Sequence, residues 1–295
     1  MTATIIDGNA IAQQVLGEVR ADVERLRAAG TEPGLAVVLV GDDPGSVSYV
    51  RGKARDAAAV GMRSETVRVS ADVSQEALLG MVADLNADPR WHGVIVQLPL
   101  PPQIDEALAT SAVAPEKDVD GLHPINVGRL FRGEPGFVSC TPAGVIQMLL
   151  RTGHDPASKH VVICGRSNLV GKPLAGLLMQ KRVGGNATVT VCHTATPDIS
   201  VHTRQADILI AVMGRPRVIT ADMVREGAVV IDVGVNAIPD ATRKKGARLV
   251  GDVDYDAVAE KASAITPVPG GVGPMTRAML LHNTVLAASG GPKPG

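Results

Sequence analysis

Short β-branched runs such as 35-LAVVLVG-41, 160-HVVICG-165, 207-DILIAVMG-214 and 228-AVVIDVG-234 alternate along this chain with longer segments of helical pattern. Strands that are apolar on both faces, separated by helices, are what a parallel sheet covered by helices requires. In the first half the pattern predicts a helix over 9–29, a strand at 35–41, a helix over 46–60, a strand near 65–70, a helix over 74–86 and a strand at 93–99. That is a βαβαβ unit. The stretch 99-PLPPQ-103 stops it, because its prolines lack the N–H and restrict the residues before them. After the loop 117-KDVDGLHPINVG-128, a helix is expected over 141–153, with Thr141 as N-cap and Pro142 at the first helical position, bridging two domains. A second series follows: strand 160–165, helix 171–181, strands 187–193, 207–214 and 228–234, and a short strand at 263–266. The last helix, about 275–288, is expected to pack back on the first domain. The fold class is therefore α/β, with no solenoid repeat.

Charge removes several classes of partner. With 29 basic and 30 acidic residues well mixed, the chain has no basic field to hold nucleic acid or an anionic membrane by counterion release. Small molecules are the expected partners. Cys140, Cys164 and Cys192 are odd in number, far apart and flanked by strand-like sequence, which suits reduced buried thiols in a reducing cytoplasm. Neither a signal peptide nor a membrane span is expected, and 289-SGGPKPG-295 reads as a frayed tail.

The segment 165-GRSNLVGKP-173 follows a strand and opens a helix, where backbone N–H groups and the helix dipole can receive phosphate. It is no Walker A loop: five residues separate its glycines, and Pro173 follows Lys172 where a hydroxyl would be needed. It also departs from the Rossmann fingerprint, having Ser167 where the second glycine stands. Alone, it reads equally well as an ordinary connection. The next strand, however, ends in His193 and Thr194 with no carboxylate to repel a 2′-phosphate, while Arg166 and Ser167 offer a guanidinium and a hydroxyl nearby. This favours NADP over NAD, against the plainer reading of Arg166 as a solvated loop charge.

In 266-TPVPGGVGPMT-276 prolines fix the chain and glycines let backbone approach a ligand. A rigid turn without a ligand is the alternative. Gln97 closes an apolar strand, and with the 41-GDDPG-45 loop and Tyr49 it is expected beyond the carboxyl ends of the first sheet. Asp118 and Asp120 lie in an acid-bearing loop and read equally as turn caps. Tyr49 and Lys53, four apart in a predicted helix, share one face. No metal site is expected, since the seven histidines form no H-x-x-x-H pair, and there is no G-x-S-x-G elbow.

Taken together, S-x-x-Y-V-x-x-K (46–53), V-Q-L-P-L-P (96–101), K-D-V-D-G-L-H-P-x-N-x-G (117–128), C-T-P-x-G (140–144), G-R-S-x-x-V-G-x-P (165–173), T-V-T-x-C-H (188–193), G-D-V-D-Y (251–255) and T-P-V-P-G-G-V-G-P-M-T (266–276) resemble one family. It is the bifunctional methylenetetrahydrofolate dehydrogenase/methenyltetrahydrofolate cyclohydrolase family, matched in order from about Ile6 to the last helix. The resemblance implies two α/β domains around a cleft: a folate-binding catalytic domain of residues 1–140 plus 275–295, and a Rossmann-like NADP-binding domain of residues 141–274. It implies that Tyr49 stacks on the folate, that Lys53 is catalytic and is tuned by Gln97, and that Asp120 holds the pterin end. Leu98, Pro269, Gly270 and Gly271 would also line the folate site. Arg166, Ser167 and Thr194 would take the 2′-phosphate of NADP, with Gly165, Val170, Gly171, His193, Gly234 and Val235 as further cofactor contacts. Tetrahydrofolate derivatives are the implied partners, in a cytoplasmic homodimer. Three departures stand out: Arg55 where a second lysine is usual, Thr194 where serine is usual, and the altered A-x-G-x-P segment around Met213. A dehydrogenase without cyclohydrolase activity and a silent NADP-binding sensor are the rival readings.

Overall fold

The computed structural model describes residues 2–243 and 246–293. In chain order it runs β1 (Thr4–Ile5), α1 (Gly8–Ala28), β2 (Gly34–Val40), α2 (Pro44–Ala59), β3 (Arg63–Val69), α3 (Gln75–Ala87), β4 (Gly93–Val96), α4 (Glu106–Ser111), α5 (Pro124–Arg132) and α6 (Cys140–Arg151). There follow β5 (His160–Cys164), α7 (Gly171–Met179), β6 (Thr188–Cys192), α8 (Ser200–Thr203), β7 (Ile208–Ala211), β8 (Val229–Asp232), β9 (Asn236–Pro239), β10 (Ala247–Val250), α9 (Tyr255–Ala259), β11 (Ala264–Ile265) and α10 (Val272–Ala288). The chain divides into two compact units. One comprises residues 13–140 with 277–295, the other 1–12 with 141–276.

The unit of residues 13–140 and 277–295 is built on a parallel sheet of order β3-β2-β4. Every residue of β2 and β4 is buried, which is why both read as unbroken apolar runs, while β3 alternates and forms an edge. Trp91, the one tryptophan of the chain, packs with Val38, Leu78, Val82 and Val94 in the core of this unit. Strand β4 stops at Val96, short of the expected 99, where Gln97 and the cis Leu98–Pro99 bond begin an irregular turn. Helix α2 starts at a well-made cap: the Asp43 carboxylate accepts the Ser46 N–H at 2.7 Å and Pro44 fills a first-turn position.

The other unit carries a six-stranded sheet of order β1-β11-β8-β7-β5-β6, parallel throughout. Strand order reverses about β5: the chain steps to β6 on one side and then to β7 and β8 on the other. At such a switch point the loops leaving neighbouring strands diverge and open a crevice at their carboxyl ends. A separate antiparallel pair, β9 and β10, lies outside the expected strands, since each is only four residues long and partly exposed, and β9 ends in Pro239, so neither carries a strand signal.

Four further expectations are corrected. Residues 1–12 belong with the six-stranded sheet, not with the first domain, because β1 pairs with β11 and Asn9 N–H donates to Gly270 O at 3.1 Å. Helix α6 opens at Cys140, so Thr141 lies inside its first turn and not at the cap; its hydroxyl bonds that of Thr276 at 2.9 Å. Cys140 is accordingly helical, whereas Cys164 and Cys192 end paired strands; all three thiols are free and buried. Ser289 to Gly291 close α10 with backbone hydrogen bonds in place of fraying, and Pro294 and Gly295 lie outside the described residues.

Because Trp91 is the sole indole and is 3% exposed, its fluorescence reports on one unit only. Emission should be blue-shifted in the native protein and move red in a single urea transition of that unit. Trp91→Ala should lower the stability of that transition by about 3–5 kcal/mol, as followed by far-UV circular dichroism.

Candidate active site

Helix α2 presents Tyr49 and Lys53 one turn apart. The Lys53 Nζ lies 5.1 Å from the Tyr49 ring centroid and donates to Gln97 Oε1 at 3.0 Å. Gln97 in turn donates from Nε2 to the Leu98 carbonyl at 2.7 Å, which fixes the amide so that its oxygen faces the lysine. Lys53 is 4% exposed, whereas Tyr49, Gln97 and Leu98 are half-buried. Burial pushes the Lys53 pKa down, opposed by the field of Asp120 and, where ionised, Cys140. Burial also pushes the Cys140 thiol well up, so at neutral pH it keeps its proton and Asp120 supplies the opposing charge.

The two acids of the 117–128 loop have separate duties. Asp118 is buried and accepts the N–H groups of Leu122 and His123 and the amide of Asn126, at 3.1, 2.8 and 2.8 Å. Burial raises its pKa to about 6 against those bonds. It is the turn-capping acid. Asp120 is half-buried and lies close enough to act on both Lys53 and Cys140.

A contact that no local pattern announces holds α2 from behind. Arg277 of α10 donates from Nε to the buried Asp56 carboxylate at 2.6 Å, and the exposed Arg55 forks onto the other carboxylate oxygen. Arg277 crosses α2 at Gly52, where a Cβ would stand 3.3 Å from its Cδ. A glycine inside a helix costs about 0.5–1 kcal/mol relative to alanine; here it makes room for the guanidinium arm. Arg55, where the resemblance leads one to expect a second lysine, serves this ion pair.

In the other unit, a pocket of about 470 Å³ opens at the switch point, lined by Gly165, Arg166 and Ser167 after β5, His193 and Thr194 after β6, and Val212 and Met213 after β7. The Ser167 hydroxyl accepts the Val170 and Gly171 N–H groups at 3.1 and 3.4 Å, shaping the turn into α7. A Cβ on Gly171 would stand 2.2 Å from the Gly165 carbonyl, and one on Gly165 (φ +138°) 2.2 Å from the Val212 carbonyl. Only glycine permits this close backbone cradle, the kind a dinucleotide pyrophosphate needs. Arg166 is exposed and has no side-chain hydrogen bond or ion pair among the described residues. These features fit a phosphorylated dinucleotide. One expectation fails, since a carboxylate does line the pocket: Asp198, which accepts the Ser200 N–H at 2.9 Å and is held below the usual range by that serine. Sequence reading missed Asp198, Thr196, Ile199 and Arg215 because they lie in irregular loops beyond the strand ends.

Gly234 and Val235 do not line this pocket. Gly234 packs against the Asp252 carboxylate, and Val235 is exposed. Asp252 also accepts the N–H groups of Met213, Gly214 and Arg215, while the buried Asp232 accepts those of Gly234, Asp252 and Val253. Burial pushes Asp232 up to about 6. In the same unit, Pro269, Gly270 and Gly271 form a loop backed by Gly8 and Asn9 at the start of α1. Among the described residues no group of three or more His, Cys, Asp or Glu is placed to hold a metal ion, and no helix is long and apolar enough to cross a membrane.

The parallel sheet with a glycine cradle at its switch point makes this a dinucleotide-binding α/β protein. Residues 139–290 match the profile described as tetrahydrofolate dehydrogenase/cyclohydrolase, NAD(P)-binding domain, and residues 6–120 match that of the catalytic domain. The chain belongs to the tetrahydrofolate dehydrogenase/cyclohydrolase family. It is 56% identical over 284 residues to the bifunctional protein FolD of Chlorobium phaeovibrioides, covering 95% of this chain and 96% of the relative. To that of Syntrophus aciditrophicus it is 54% identical over 288 residues, 98% of each. The solved Campylobacter jejuni bifunctional enzyme FolD, a methylenetetrahydrofolate dehydrogenase/cyclohydrolase, superposes with a TM-score of 0.92 at 44% identity, over 98% of this chain and 99% of that one. The Trypanosoma brucei FolD, solved with NADP cofactor and inhibitor, gives a TM-score of 0.92 at 42% identity, over 98% of each chain.

Lys53 also marks stability. Its pKa is depressed on folding from the ordinary 10.5, so below the folded value both states carry the proton and the folded state bears the full desolvation penalty. That penalty fades as pH rises from the depressed value to 10.5. Lys53→Met should therefore raise Tm at neutral pH, and the gain should shrink towards alkaline pH in calorimetric scans.

Proposed function

We propose that the protein oxidises 5,10-methylenetetrahydrofolate to the 5,10-methenyl form with NADP and hydrolyses that product to 10-formyltetrahydrofolate, in one-carbon metabolism. The observation that carries this reading is a buried lysine with one neutral hydrogen-bond acceptor, beside an aromatic ring. Tyr49 offers the folate a flat platform with a polar tip, and Asp120 accepts hydrogen bonds from the pterin end. Leu98, Pro269, Gly270 and Gly271 line the same substrate. Gly165, Arg166, Ser167, Val170, Gly171, His193 and Thr194 would hold NADP, with Arg166, Ser167 and Thr194 on its 2′-phosphate. When bound, NADP supplies the acceptor for the hydride that leaves the methylene carbon.

Positioning does most of that first step. In the second, water adds to the methenyl carbon and the neutral Lys53 amine takes its proton; the remaining carbinol O–H proton then passes to N5 as the carbon–N5 bond breaks, and the formyl group remains on N10. Gln97 directs the amine by holding Nζ through its fixed oxygen. The enzyme works as a cytoplasmic homodimer, with Tyr49, Lys53, Gln97 and Asp120 of the folate site in the unit of residues 13–140 and 277–295 and NADP on that of residues 1–12 and 141–276.

Mixing the protein with methylenetetrahydrofolate and NADP should give methenyl absorbance that then decays; a flat trace overturns the reading. Lys53→Met should slow methenyl hydrolysis by at least about 10²-fold while folate still binds, and full hydrolytic turnover in that variant would remove Lys53 from the mechanism. Arg166→Ala should weaken NADP roughly 10- to 100-fold and leave NAD nearly unchanged, as read by Kd for each cofactor.

A further inference from the structure

Asp252, in the G-D-V-D-Y segment of residues 251–255, is fully buried, and its carboxylate is held by N–H groups. Its Oδ2 accepts those of Met213 and Gly214 at 2.5 and 2.9 Å, and its Oδ1 that of Arg215 and the Asn236 amide, both at 2.9 Å. A carboxylate has about four acceptor sites, so all of them are in use. Gly234 leaves the room this needs, since a Cβ there would stand 2.1 Å from Oδ1. The backbone of Asp252 is fixed in turn. Asp232, the last residue of β8 and in register with Ala211 of β7, accepts the Asp252 and Val253 N–H groups at 3.0 and 2.9 Å. The order of the sheet is thus passed from the end of β8, through two buried carboxylates, to residues 213–215.

Those residues form one rim of the nucleotide pocket, which Val212, Met213 and Arg215 line. Successive N–H groups that converge in this way make a concavity suited to an anion. Here the protein supplies the anion itself. The N–H groups of the rim are therefore taken, and what remains for a ligand is its side chains, among them the exposed Arg215, which has no side-chain hydrogen bond or ion pair among the described residues. We propose that Asp252 is a positioning residue of the cofactor site: it holds the 213–215 rim in its ligand-bound form before NADP arrives, so that affinity for NADP depends on a carboxylate the cofactor never touches. The inference rests on the NADP reading of this pocket.

The test compares the full-length wild type with Asp252→Asn by calorimetric titration with NADP and by hydrogen exchange of the backbone amides of residues 208–219. Asparagine keeps the size of the side chain but turns an NH₂ donor towards N–H groups, so the two bonds of one oxygen are lost. Kd for NADP should rise roughly tenfold. Exchange at Met213, Gly214 and Arg215, slow in the wild type without cofactor, should become fast in the variant and slow again at saturating NADP, while β5 and β7 keep their wild-type protection. Should Asp252→Asn not fold, Asn236→Ala removes one of the four donors from a half-buried position and should give the same changes in smaller measure. An unchanged Kd, or rim amides as protected in the variant as in the wild type, would overturn the positioning role; so would a loss of protection in Asn236→Ala that extends over the whole sheet, the mark of a residue that merely supports the fold. Failure of the wild type to bind NADP would instead overturn the cofactor reading itself.

Discussion

A lysine taken almost wholly out of water must either be paired with a charge or surrender its proton. In this protein Lys53 donates to the neutral oxygen of Gln97, and the field of Asp120 opposes the effect of burial without overcoming it. The surroundings are arranged around that choice. Gln97 is itself locked by the Leu98 carbonyl, Cys140 is kept as a thiol, and the Asp118 carboxylate is turned to the N–H groups of its own loop. An amine that gives up its proton more readily than an exposed lysine is the product of this burial.

The nucleotide-binding unit solves a different problem by similar means. Its sheet leaves a crevice at the β5 switch point, and the loops around it are fixed before any ligand arrives. Asp252 gathers the 213–215 segment while Asp232 gathers the 252–253 segment, each carboxylate engaging several backbone N–H groups that would otherwise be unpaired. Loop order of this kind lowers the entropy to be lost when a ligand binds.

Much of this was legible in the residues. Runs such as LAVVLVG and HVVICG announce strands buried on both faces, and the spacing of Tyr49 and Lys53 places them on one helical face whatever surrounds them. Asp118 and Asp120 could not be told apart from spacing, since only the fold decides which carboxylate turns inward. Strand β1 is two residues long, too short for any periodicity to place residues 1–12 with the six-stranded sheet. Asp56 and Arg277 are 221 residues apart, a separation at which no local rule operates. The one hint was Gly52, a residue with no evident reason to sit mid-helix.

That glycine has a consequence for how the molecule can drift over generations. With Arg277 lying across it, the helix bearing the lysine is keyed to the closing helix like a shaft with a slot, and rotation about its own axis would be blocked by the arm in the slot. A methyl group at residue 52 would stand 3.3 Å from the Cδ of that arm, which would have to give by a few tenths of an ångström, so a change at any one of the three positions is felt at the other two.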